Sequence, residues 1–360
     1  MAEPTDIAQY HDFDHCPLCE RFRARRRFDV LPWLAGTAVL SLLAVIVIRA
    51  LWPGSPRWLG PLVPWAYWAS VIVFGVWVIR RWKNTYFRWR TVSVMTVQTV
   101  IGIIMAGPLA LGFGMPLLAR RVHLTWPLHM SVLNPNRPES ILVYGAIMSF
   151  IVWPAVALVL GKRYCSWFCF CGNLAETAGE AFRTIGPKGP RAQGLDRTFY
   201  AILVAAGIVT LGVWFKVTWP FKWYEWIVGF VLVDLVGIGL YPILGNRPWC
   251  RFFCPLAAGL GALSQHGRFA IYTDDQRCIE CGTCNRYCEM GIDIRMRARQ
   301  GIPLKDDQCV GCGACIAVCP RYALSFRQFP EPEHAAAVKN TYRFRRPFVR
   351  QLAAPRQREA

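Results

Sequence analysis

The sequence predicts an integral membrane protein, all-α across about six transmembrane helices, with a small α+β domain near its C-terminus organised by repeated cysteines. Three observations predict it. Hydrophobic residues make up 54% of the 360 positions, more than an ordinary soluble chain needs. They gather into about six stretches of roughly 20, the length at which a helix crosses a bilayer. After the last stretch, Cys278, Cys281, Cys284 and Cys288 are followed by Cys309, Cys312, Cys315 and Cys319, with Pro320 next, so C-x2-C-x2-C-x3-C occurs twice.

The apolar stretches run over 31–51, 61–79, 91–119, 141–161, 198–215 and 226–245. The third is longer than a span requires. Gly107-Pro108, Gly112, Gly114 and Pro116 predict a kink or unwound turn within it. Tryptophans fall at span ends, among them Trp33, Trp52, Trp65, Trp82, Trp219, Trp223 and Trp249, as an interfacial belt requires. Arg21, Arg23, Arg25, Arg26 and Arg27 precede the first span, and Arg80, Arg81, Lys83, Arg88 and Arg90 lie between the second and third. Lys162, Arg163, Arg183, Lys188, Arg191 and Arg197 follow the fourth, whereas the alternate loops hold few cations. The positive-inside rule therefore predicts a multi-pass membrane protein with both termini, and the cysteine clusters, in the cytoplasm. A cleavable signal is not expected, because the first apolar stretch is preceded by an acidic segment and a block of arginines.

Four domains follow: a cytoplasmic segment over 1–30, a six-helix membrane domain over 31–267, the cysteine-rich domain over 268–330 and a basic tail over 331–360. The net charge of +19 sits in the predicted cytoplasmic loops and the tail. No nucleic-acid motif accompanies it, so nucleic acid is not expected as a partner. Anionic headgroups or an acidic redox partner suit that charge better.

The doubled cysteine run has the ligand order of a bacterial-type ferredoxin holding two [4Fe–4S] clusters. Three close-spaced thiolates wrap one corner of a cubane, and the fourth cysteine of each run crosses to the other cluster. Cys278, Cys281, Cys284 and Cys319 are thus assigned to the first cluster, and Cys309, Cys312, Cys315 and Cys288 to the second. Zinc sites pair C-x2-C units and have no use for three successive thiolates plus a fourth. In a reducing compartment, 15 cysteines are not structural disulfides. The chemistry read from this pattern is electron transfer.

A second cysteine pattern closes the fourth and sixth spans. Cys165 and Cys169 follow Lys162-Arg163-Tyr164, and Cys250 and Cys254 follow Arg247-Pro248-Trp249, 85 positions later. The repeat predicts two related halves meeting at a shared site. Four thiolates there suffice for a third cluster or a soft metal such as copper; buried thiols also simply fill space at helix ends. At the N-terminus, Cys16 and Cys19 beside His11 and His15 resemble a metal half-site, and Cys171 is an extra thiol.

Beyond the cysteines, the candidates are few. No histidine falls inside a span and C-x-x-C-H is absent, so no haem is expected. His123 and His129, in the loop after the third span, are candidate proton acceptors in a quinol pocket. Asp234 is the one acid well inside a span, a candidate proton relay or quinone contact.

The C-x3-C motifs after membrane helices, followed by a double-cluster module, resemble the membrane polyferredoxins typified by NapH, NosR and the oxidase-assembly protein CcoG. The resemblance runs from about the third span to Ala323. Cys250, Cys254 and Pro255 match its motif fully. Cys165 and Cys169 also match, with Phe170 where proline is expected. Cys288 is followed by Glu289-Met290-Gly291 in place of proline. The resemblance implies electron transfer from the quinol pool to a partner redox protein or membrane-complex subunit, as in a quinol-dehydrogenase-type oxidoreductase. The alternatives it leaves are copper reduction during oxidase assembly and a redox-sensing regulatory subunit. No counterpart of the flavin domain of NosR-type proteins is expected.

Overall fold

The computed structural model describes residues 59–105 apart from 83, then 126–127, 133–135, 138–188, 194–195, 197–217 and 219–327, with two isolated helical positions, 36 and 44. Apart from those two positions the first predicted span lies outside the described residues, as do the N-terminal cysteines and the basic tail.

Long helices build the first layer. Helix α1 (Leu59–Arg81) and helix α2 (Thr85–Val97), which runs on as a π-helix over Gln98–Met105, form an antiparallel pair. The turn between them is set by Asn84, whose side-chain oxygen accepts from the amides of Tyr86 and Phe87, satisfying two donors that a helix start leaves open. The two helices pack closely at Gly75, where a Cβ would stand 2.8 Å from the sulfur of Met95. Helix α3 (Glu139–Leu160) is, among the described residues, the one helix long and apolar enough to cross a membrane. Its turn over Met148–Val152 is π-helical just ahead of Pro154, which has no amide proton to offer the regular ladder.

After α3 come two short helices, α4 (Tyr164–Trp167) and α5 (Phe170–Glu176). The second half repeats the plan with α6 (Thr198–Trp214) and α7 (Trp219–Tyr224), the latter continuing as a π-helix over Glu225–Ile238. A short α8 (Tyr241–Leu244) and a π turn over Trp249–Phe253 lead to α9 (Pro255–His266). Both halves stop at glycine with positive φ, Gly161 at 70° and Gly245 at 82°. Conformation and space both demand glycine: a Cβ on Gly161 would meet the ring of Phe269 at 2.4 Å, and one on Gly245 the backbone of Gly186 at 2.7 Å.

The last domain is the predicted small α+β unit. Strand β1 (Tyr272–Thr273) pairs antiparallel with β2 (Leu324–Ser325), tying its two ends together. Between them lie helices α10 (Thr283–Tyr287), α11 (Ile294–Arg299) and α12 (Ala314–Val318). Helices α10 and α12 are copies of one device. Each starts from a left-handed glycine inside a C-x2-C, Gly282 or Gly313, and each ends on an extended cysteine, Cys288 or Cys319. One buried core joins this unit to the ends of α3, α6 and α9.

The domain sits against one end of the helical layer, and polar side chains hold it there. Tyr86 donates to the carbonyl of Gly311 at 2.6 Å, Arg90 to that of Cys312 at 2.8 Å and Ser166 to that of Val310 at 2.8 Å. Lys162 donates to the Asp307 carbonyl at 2.7 Å, and Tyr200 to the Asp307 carboxylate at 2.9 Å. These anchors come from the starts of α2 and α6, from α4 and from the turn that follows α3. The cation-rich segments that hold Lys162, Arg163, Arg183 and Lys188 lie beside the cysteine domain.

Candidate functional site: three groups of thiols around a buried charge network

The C-x2-C-x2-C turns present their sulfurs inward because each left-handed glycine folds the chain back between its cysteines. Cys278, Cys281, Cys284 and Cys319 line one cavity, closed by Pro320 and Ala323. Cys319, fourth in the second run, thus stands with the first triplet. Its sulfur accepts from the Ala323 amide at 3.3 Å. The second group gathers Cys309, Cys312 and Cys315 with Cys288, whose charges bear on one another. Burial pushes the Cys309 thiol up to about 12 and those of Cys315 and Cys288 above the ordinary range. Thiols so deprived of water hold their ionised form only beside a cation or metal. The two quartets fit [4Fe–4S] clusters in donor type, number and grouping.

The C-x3-C pairs form a third group under the module. Each pair straddles a helix break. Cys165 lies in α4 and Cys250 in the π turn, while Cys169 and Cys254 are the extended residues that start α5 and α9. A turn and the cap that follows it, in place of one continuous helix, hold the two thiols of each pair. All four are buried, at 3 to 6% exposure. Their charges act mutually: Cys254 is raised by burial first and then by Cys250, Cys165 and Cys169. Cys169 behaves differently from the other three. A hydrogen bond from Cys171, backbone amides and Arg247 outweigh burial and bring its thiol down to about 7. Among the described residues, no three His, Cys, Asp or Glu side chains converge closely enough for a single metal ion. A cubane spreads its thiolates over separate corners and makes no such demand.

A charge network that the sequence reading did not foresee lies between the second and third groups. Arg90, Arg183 and Arg247 interlock with Glu176, Glu180 and Glu289, every side chain at 2% exposure or less. Glu289 faces Arg183 at 2.9 Å and Arg247 at 2.8 Å, and accepts from Asn246 at 2.7 Å. Glu176 pairs with Arg90 at 2.7 Å and Arg183 at 2.9 Å, and also with Arg247. Trp82 donates to Glu180 at 3.0 Å. Burial drives the Glu289 carboxyl upward, but the three arginines outweigh it and hold the group at about 2. Two sulfurs border the network: Arg183 Nη1 is 3.5 Å from Cys312 Sγ, and Arg247 Nη1 is 3.8 Å from Cys250 Sγ. The signal was present in the sequence as Glu289, an acid standing where proline follows the matching cysteine of the second run.

The remaining candidates separate. His123, His129, Cys16 and Cys19 lie outside the described residues. Asp234 is half-buried in the π-helical part of α7, with no partner for its carboxylate among the described residues. Cys171 borders a second cavity with Tyr241, Asn246, Arg247 and Cys250.

Two family models match. The 4Fe-4S dicluster domain covers residues 271–325, and the 4Fe-4S binding domain covers 142–187 and 224–271, one C-x3-C pair in each segment. YccM of Escherichia coli K12, described as an electron transport protein, is 22% identical over 42% of this chain and 47% of its own length. MauN of Methylorubrum extorquens, a methylamine utilization ferredoxin-type protein, is 22% identical over 56% of this chain and 75% of its own. NirI of Paracoccus denitrificans is 28% identical over 45% of this chain and 26% of its own. The chain thus spans about half the length of YccM and a quarter of that of NirI. No solved structure matches it. Fold and cysteine site define an iron–sulfur electron-transport protein. Within that class, the chain is similar to the NapH/NosR type of ferredoxin-like electron-transport proteins.

Proposed function

We propose that this protein is a multi-pass inner-membrane electron carrier that takes electrons from the quinol pool and passes them to a partner redox protein. In this reading Cys278, Cys281, Cys284 and Cys319 hold one [4Fe–4S] cluster, Cys309, Cys312, Cys315 and Cys288 a second, and Cys165, Cys169, Cys250 and Cys254 a third. Such clusters supply one-electron redox steps. The observation that carries the reading is that cysteines of the second and third groups share one continuous buried core, against which Cys278, Cys284 and Cys319 of the first group pack, so the three groups lie in sequence from the helix ends to the domain surface. The match of the 4Fe-4S binding domain to both C-x3-C segments supports a cluster there over copper.

Support for the membrane setting comes from the surfaces of the helices. Phe150, Ile151 and Val159 on α3 and Val204, Ile208 and Leu211 on α6 are each more than half exposed, a face that suits lipid. The cation-rich loops beside the cysteine domain support a cytoplasmic placement of that domain. Asp234 and the loop holding His123 and His129 are the candidates for accepting quinol protons.

Anaerobic purification, iron counting and EPR test the proposal. The two ferredoxin quartets require about eight iron atoms per chain, and the C-x3-C site about four more. Addition of a quinol should bleach the oxidised-cluster absorbance. Stoichiometric zinc, or iron near four, would refute the ligand assignment. Cuprous ion produced from added copper without cluster turnover would favour the assembly-factor alternative.

A further inference from the structure

We infer that Arg183 and Arg247 form an electrostatic bridge between the second ferredoxin quartet and the C-x3-C thiols, setting the reduction potentials of the centres on either side. The inference rests on the cluster assignment proposed above and adds to it the residues that tune the two centres.

The geometry points both guanidiniums at sulfur. Arg183 reaches Cys312 Sγ with Nη1, which also meets Glu289, while its Nε and Nη2 engage Glu180 and Glu176. Arg247 reaches Cys250 Sγ with Nη1, and its Nη1 also donates to the carbonyl of Cys165 at 3.1 Å. The two arginines share both Glu176 and Glu289, so neither can shift without disturbing the other. Arg90 joins the same assembly and donates to the carbonyl of Cys312 at 2.8 Å. Lys162, itself fully buried, adds a further positive charge near Cys165 and Cys250.

Stability alone gives little reason for such an arrangement. A buried ion-pair network is often no more stabilising than apolar side chains of the same volume. What it supplies here is a rigid pair of cations at two sulfurs with water excluded, where charge acts at low dielectric. A cluster becomes more negative on reduction, so a fixed guanidinium and its N–H to a ligand sulfur favour the reduced form and raise the potential. Because both arginines belong to one network, an electron on one side is felt by the cations that face the other.

The test is an EPR-monitored redox titration of the full-length protein, purified anaerobically, with iron counted in every sample. Arg183→Gln paired with Glu180→Gln keeps the charge balance of the network while removing the donor to Cys312. One ferredoxin signal should then move to lower potential while the other stays near its wild-type value. Arg247→Gln should lower the potential of the signal that is lost in Cys250→Ser. Arg183→Lys, which keeps the charge, should give a smaller shift. Fully loaded variants with unmoved potentials would overturn the inference alone. Loss of iron from every variant, Arg183→Lys included, would make these residues structural supports and overturn it as well. Wild-type protein that binds no iron would overturn the cluster assignment, and the inference with it.

Discussion

Glu289→Gln probes the buried network most directly. The wild-type carboxylate has no exposed surface and meets Arg183, Arg247 and Asn246 within 2.9 Å. Glutamine preserves the volume and one acceptor oxygen but removes the charge, leaving three guanidiniums against the two remaining carboxylates, Glu176 and Glu180. One buried positive charge is then uncompensated. Breaking a buried pair by removing one partner costs about 3–5 kcal/mol. At about 2 °C per kcal/mol for a chain of this size, the thermal midpoint should fall by about 6–10 °C. The assay is the loss of cluster absorbance on heating detergent-solubilised, anaerobic protein, followed in parallel by tryptophan fluorescence. A second variant, Glu289→Gln with Arg247→Gln, restores the balance of charge and should recover part of the loss, because contacting residues are non-additive. A midpoint within about 2 °C of wild type for Glu289→Gln would refute the reasoning, since it would mean that water or relaxation solvates the orphaned arginine.

The same carboxylate sets an acid limit. Its folded pKa, near 2, lies below the ordinary value of about 4.3, so its contribution is full above pH 4.3 and fades as the pH falls towards 2; acid titration should show this loss in wild type and not in Glu289→Gln. If the C-x3-C cysteines share one centre, Cys169→Ser and Cys254→Ser should each abolish its EPR signal, and the double variant should be hardly worse than either; mild additive losses would mark them as packing thiols. Cys315→Ser should remove about four of the iron atoms of the ferredoxin domain and weaken retention of the rest, since each quartet borrows a cysteine from the other run. For topology, alkaline phosphatase fused after Arg137 should be active and after Arg191 inactive, with the reverse pattern placing the cysteine domain outside.

Much of this site was legible in the sequence because its information is local. Thiolate spacing within each C-x2-C-x2-C-x3-C run leaves few chemistries open, and the runs carry their own turn glycines, Gly282 and Gly313. The 85-residue repeat marks Cys165, Cys169, Cys250 and Cys254 as a group in the sequence itself. Apolar length and loop charge marked the helical layer for the same reason: a span is a property of about 20 consecutive residues.

Only the tertiary structure decided how these parts meet. The C-x3-C pairs straddle helix breaks, which no periodicity announces, because a break after Phe168 or Phe253 depends on what the next turn packs against. Arg90, Glu176 with Arg183, Arg247 and Glu289 come from four separate places in the chain, and each alone reads as an ordinary charged residue near a membrane surface. Their pairing is a long-range fact, created when the cysteine domain closes over the helix ends and excludes water from all of them at once. Charge in a sequence says how much there is. Burial decides which charges must find each other, because away from water an unpaired one is too costly to keep.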